Sequence, residues 1–190
     1  GELVLKVHGN LTRIALPAAA LFFVSSPILF GFILGQDWRE AGKLAQIMTP
    51  WLYFNFVTNP PGRVFPILNR HGTALIFQVS LLFSSIASIL IVGYICNDLI
   101  LTISILSISN SFIYFTRFIC VCKLSNANML EPVKYIYKNI LPSLAVILPF
   151  IMAVNLGATF GLSSKLIPIG FFLSGLILLS LTYKATKEIY

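Results

Sequence analysis

The sequence predicts an all-α, polytopic transmembrane helix bundle of about six spans, and three observations predict it. Hydrophobic residues make up 57% of the 190-residue chain and charged residues 10%, with a mean hydropathy of +0.91, a balance that no soluble surface sustains. Apolar stretches recur at residues 13–34, 44–62, 73–96, 99–116, 140–157 and 165–183. Each is roughly 18 to 24 residues long, the length required to cross a hydrocarbon core about 30 Å thick at a rise of about 1.5 Å per residue. The breaks between them are short and polar, and they share the basic residues unequally.

The first run ends in the charged segment GQDWREAGK. A secretory signal peptide ends in a small-residue cleavage site instead, so residues 13–34 read as a span. The second run ends on TNPPGR, where Pro60, Pro61 and Gly62 in succession must bend or break a helix, a candidate hinge. Runs three and four would form an uninterrupted apolar stretch of more than forty residues but for Asn97 and Asp98. No single span accommodates that length, so two helices joined by a tight turn are expected. The polar stretch CKLSNANMLEPVKYIYKN separates runs four and five, and GATFGLSSK separates five and six.

Prolines recur in or near the spans at positions 17, 27, 50, 60, 61, 142, 149 and 168. Neighbouring helices re-satisfy the backbone groups that a proline frees in a membrane, so most are expected inside continuous helices. Small hydroxyl residues repeat at helical spacing, Ser80, Ser84 and Ser88 in the third run and Ser104, Ser107 and Ser111 in the fourth. Such stripes allow close approach of helix backbones in lipid. Gln78 and Asn110 leave open a polar lining for a cavity.

Orientation follows from the positive-inside rule. One side collects Lys6, Arg13, Arg63, Arg70, Arg117, Lys123, Lys134, Lys138, Lys184 and Lys187, and the other holds Arg39, Lys43 and Lys165, ten against three. Both ends of the segment are therefore expected in the cytoplasm. The chain opens on Gly1 where a gene product opens on Met, so it is read as part of a longer protein.

The net charge of +7 does not point to nucleic acid, because the basic residues lie in short loops between apolar runs. Cys96, Cys120 and Cys122 form no CxxC or CxxH pattern, so neither a metal site nor a disulfide framework is expected. No HExxH, GxSxG, P-loop or paired intramembrane carboxylate is present. His8 and His71 fall in the cytoplasmic-side breaks, where solvation is the ordinary role. The sequence therefore contains no catalytic set, calls for no cofactor, and leaves transport as the leading activity.

For transport the pertinent residues are cations close to the bilayer. If the helix resumes after Pro61, Arg63 and Arg70 are two turns apart and share one face, lining a vestibule. Arg117 closes the fourth run. A guanidinium with bidentate donors suits a pyrophosphate or an acidic sugar. The competing reading is that all three are retention charges that snorkel to the headgroups.

Residues 30 to 72, FGFILGQDWREAGKLAQIMTPWLYFNFVTNPPGRVFPILNRHG, carry a resemblance. Gly31 with Phe30 or Phe32, Trp38, Ala41-Gly42, Gln46-Ile47, Pro50-Trp51, Asn59-Pro60, Leu68 and Gly72 follow one another as in the polysaccharide biosynthesis and O-antigen flippases. These belong to the multidrug, oligosaccharidyl-lipid and polysaccharide exporters. The resemblance implies the carboxy-terminal six spans of a two-lobed transporter. That transporter would move an undecaprenyl-pyrophosphate-linked oligosaccharide across the bacterial inner membrane by alternating access. It implies as partners the lipid bilayer, the lipid-linked oligosaccharide, the amino-terminal half of the same transporter, and polysaccharide polymerase or ligase machinery. Trp38, Ala41 and Gly42 would then set the periplasmic turn as packing residues. Asn59-Pro60-Pro61 departs from the family's commoner Ser-Pro. Two alternatives stand beside this reading, a multidrug-type exporter of the same superfamily and a truncated, non-transporting remnant with a structural or assembly role.

Overall fold

A computed structural model describes residues 1–128, 130–160 and 163–187. Every regular element among them is helical. Helix α1 covers Glu2–Ile33 and α2 covers Arg39–Thr58; α3 is the four residues Val64–Ile67, and α4 covers His71–Ala87. Helix α5 is Tyr94–Cys96, α6 Leu99–Leu124, α7 Leu130–Phe160 and α8 Ser163–Lys187. A six-residue π-helical stretch, Ser88–Gly93, joins α4 to α5. It makes His71–Cys96 a single span with a local change of winding of the kind that reorients side chains along a helix.

Five of these helices are long and apolar enough to cross a membrane: Glu2–Ile33, His71–Cys96, Leu99–Leu124, Leu130–Gly157 and Leu166–Tyr183. The chain is an all-α polytopic membrane protein. The expected second span, residues 44–62, is the 20-residue helix α2. It is not among the five, because Lys43, Gln46 and Asn55 dilute its apolar residues. The span His71–Cys96 has only 6% of its most apolar window buried. Much of its apolar surface is therefore left for lipid or for other protein to cover.

Several breaks are shorter than expected. Helix α1 begins eleven residues before residue 13, so Lys6, His8 and Arg13 lie within a helix and not in a loop. Most of the polar stretch 122–139 is also helical. Helix α6 runs on to Leu124 and α7 starts at Leu130, because Lys, Glu and Tyr are good or tolerable helix residues and Pro132 falls in the first turn of α7, where a missing N–H is tolerated. Prolines 17, 27, 50, 142, 149 and 168 all lie inside continuous helices, as expected. Only Pro60-Pro61 ends one: α2 stops at Thr58 and Pro61–Arg63 form a 3₁₀ turn.

Three asparagines in the left-handed region decide where other helices stop. Asn69 (φ 55°) ends α3, Asn97 (φ 47°) ends α5 and Asn126 (φ 52°) follows α6. After α3 the Arg70 amide donates to Phe65 O at 2.8 Å and the Asn69 amide to Pro66 O at 3.0 Å. After α6 the Ala127 amide donates to Cys122 O at 2.9 Å and that of Asn126 to Lys123 O at 3.2 Å. Both are Schellman closures, which satisfy the last carbonyls and need a residue that tolerates positive φ. The expected turn at Asn97-Asp98 is present. Asp98 caps α6, its carboxylate accepting from the amides of Ile100 (2.9 Å) and Leu101 (3.2 Å).

The fold divides into two compact units. Unit 1 comprises Gly1–Leu11 and Ile47–Pro132, and unit 2 comprises Thr12–Gln46 and Val133–Tyr190. The core of unit 1 is built on Val4, Phe65 and Val121. The core of unit 2 is built on Leu21, Val146 and Phe150, from α1 and α7, with Ile177, Leu178 and Leu181 of α8 packed against it.

Candidate functional site

Helix α6 buries Ser107, Asn110, Tyr114, Arg117, Phe118, Val121 and Cys122. These positions recur at three and four residues, so they form one stripe of the helix. Arg117 lies in the middle of that stripe and is 8% exposed. It does not end the helix and does not snorkel, which corrects the reading of a terminal retention charge: α6 continues for two further turns, to Leu124.

The break after α2 forms the seat of this arginine. The Arg117 Nη1 donates to Asn59 Oδ1 at 2.9 Å, and the guanidinium carbon is 6.0 Å from the centroid of the Phe65 ring. Asn59 is held in turn by Asn55, whose side-chain oxygen accepts from the Asn59 amide nitrogen. A Cβ added to Gly62 would meet the guanidinium, with Cζ at 2.8 Å and Nε at 3.1 Å. Only glycine leaves room for the planar group to lie against the backbone there. Among the described residues no carboxylate pairs with Arg117, and its buried Nε has no hydrogen-bond partner.

Magnitudes show why this arrangement holds together without a counter-ion. Even at the centre of a spanning helix an arginine costs roughly 2.5–3.5 kcal/mol on insertion scales, an upper bound for one two turns from the end of α6. A hydrogen bond from a charged group contributes about 1.5–3 kcal/mol. The ring contact, at the outer limit of cation–π range, adds about 0.5 kcal/mol. These terms nearly cancel, leaving a dehydrated cation with donor capacity to spare.

Next to it, His8 of α1 is buried, with Nδ1 3.3 Å from Val57 O. Its ring stacks on Phe118 at a centroid distance of 4.1 Å. His8 is thus a packed side chain and not the solvated loop residue expected, because α1 extends over it. His71 is exposed at the start of α4.

Arg63 and Arg70 do not share a helix face. The 3₁₀ turn carries Arg63, α3 ends four residues later at Ile67, and Arg70 lies beyond the left-handed Asn69. Both arginines are exposed. Pro60 is exposed, whereas Pro61 and Gly62 are buried beneath Arg117. In unit 2, Trp38 is 54% exposed, Ala41 half-buried and Gly42 buried. A Cβ on Gly42 would lie 2.6 Å from both Pro27 Cα and Ser26 O, so α2 touches α1 backbone to backbone at that point.

The stretch that carries the first serine stripe packs on α6, which carries the second, and Ser88 and Ser107 are buried. Ser107 donates to Ile47 O at 2.8 Å, and Asn110 Nδ2 donates to Ser85 Oγ at 3.1 Å. Ser85 lies one position off the 80/84/88 stripe, while Gln78 is exposed.

Asn59 and Phe65 were not singled out as contacts from the sequence. In the sequence Asn59 enters as part of the Asn59-Pro60 match and as a departure from the family's commoner Ser-Pro. Its signal was a polar side chain immediately before a double proline, where the chain leaves the helix and its amide is free to turn inward. No family model matches the chain, and neither does any curated protein or solved structure.

Proposed function

We propose that the chain is part of a flippase of the bacterial inner membrane that carries an undecaprenyl-pyrophosphate-linked oligosaccharide by alternating access. The observation that carries this reading is the buried guanidinium of Arg117, seated on Asn59 and Gly62 with no carboxylate partner among the described residues. Both seat residues lie in the segment that resembles the polysaccharide flippases. A dehydrated guanidinium with an unpartnered Nε favours an anion that presents two acceptor oxygens to its fork of donors, and a pyrophosphate meets that description. In the closed arrangement Asn59 occupies one donor. Opening at the Pro60–Gly62 break releases Asn59, and phosphate oxygens take its place. Arg63 and Arg70, exposed on the flanking turns, then attract the anion towards the seat.

Deleting the gene tests the reading. Lipid-linked repeat units should accumulate on the cytoplasmic leaflet while surface polysaccharide is lost. Complementation with Arg117→Ala should fail at normal membrane abundance. Unchanged surface polysaccharide after deletion would overturn the proposal, and raised drug sensitivity in its place would assign a multidrug-type exporter.

A further inference from the structure

Two of the thirteen basic residues meet at a cavity in unit 2 that the proposed function does not use. The cavity is about 130 Å³ and is lined by Arg13 of α1, Lys138, Asn139 and Pro142 of α7, and Leu181 of α8. Among the described residues its polar walls are two cations and an amide. Asn139 is 4% exposed and is held in place: its Nδ2 donates to Tyr135 O at 2.6 Å, and its own carbonyl accepts from Ser143 Oγ at 2.6 Å. The volume exceeds what one water requires.

We infer that this cavity binds a phosphate group, and that the group is the headgroup of an anionic membrane phospholipid. Lysine and arginine supply charge and donors, and a pocket of this kind between membrane helices suits a lipid phosphate. Pro142 and Leu181 form an apolar wall beside the cations. On α7, Tyr137 and Leu141, on either side of this group in sequence, are 72% and 75% exposed. That leaves exposed apolar surface for acyl chains on the same helix as Lys138 and Pro142. Free inorganic phosphate offers the same oxygens without those chains, so the two sources are separable by experiment.

The test uses the protein in nanodiscs of phosphatidylcholine alone or with about one-fifth phosphatidylglycerol, scored by native mass spectrometry of retained lipid and by the thermal unfolding midpoint. Phosphatidylglycerol should be retained and should raise the midpoint. Lys138→Gln, at an exposed position that is safe for folding, should weaken retention about fivefold, and Lys138→Arg should preserve it. Millimolar inorganic phosphate in neutral nanodiscs should leave the midpoint unchanged. A rise there would overturn the lipid assignment in favour of a soluble phosphate. Equal retention by wild type and by both Lys138→Gln and Arg13→Gln would overturn the site itself. None of these readouts depends on flipping, so the site and the proposed function fail separately.

Discussion

The guanidinium of Arg117 lies against the α-carbon of Gly62, so close that a methyl group on that carbon would come within 2.8 Å of Cζ. Arginine and glycine are 55 positions apart in sequence. Their contact joins α6, two turns before its end, to the turn after α2, and the hydrogen bond to Asn59 holds it.

Replacing Gly62 by Ala should therefore act through Arg117. Overpacking of this kind costs about 1–3 kcal/mol. The cost should largely vanish when Arg117 is already Ala, a coupling of about 0.5–3 kcal/mol in a double-mutant cycle measured by unfolding in mixed micelles. Additive effects of the two substitutions would show that the guanidinium does not occupy that space.

Asn69 and Asn126 hold positive φ at helix ends. Alanine at either position should lower stability by about 1–2 kcal/mol, whereas glycine should be close to neutral, because only the Cβ is strained in that region. Thermal unfolding of the four single variants separates the cases. Equal loss for Ala and Gly at one site would mean that the asparagine side chain, and not its backbone tolerance, is what matters there.

Cys96 is exposed at the turn between α5 and α6, while Cys122 is buried on the α6 stripe. If both ends of the chain lie in the cytoplasm, as the distribution of basic residues leads one to expect, and α2 crosses with the five longer spans, the Cys96 turn faces outward. A membrane-impermeant maleimide should then label Cys96 in spheroplasts without lysis, and Cys122 should stay unlabelled until the protein is denatured. Labelling of Cys96 only after lysis would reverse the orientation read from the basic residues.

The general architecture was legible from hydropathy because lipid forces every backbone group into a helix and demands a known length of apolar chain. The Asn97-Asp98 turn was equally legible, since it relies on local chemistry, a left-handed asparagine followed by an aspartate cap. Helix ends governed by hydropathy alone were misplaced. Polar residues such as Lys123 and Glu131 lower hydropathy without breaking a helix, so α1, α6 and α7 outrun their apolar cores.

The sequence by itself determined that this chain lives in lipid, that helices carry it across, and that Pro60-Pro61-Gly62 interrupts the path. Only the tertiary structure decided which arginine is buried. Arg63, Arg70 and Arg117 are alike as residues at the margins of apolar runs, and local charge rules treat them alike. What separates them is a neighbour far away in sequence: Asn59, Gly62 and Phe65 surround Arg117 with a donor-matched, ring-faced hollow, while the left-handed turn at Asn69 leaves Arg70 outside. Burial of a charge depends on what offsets its desolvation, and that is a property of the packed helices and not of the arginine.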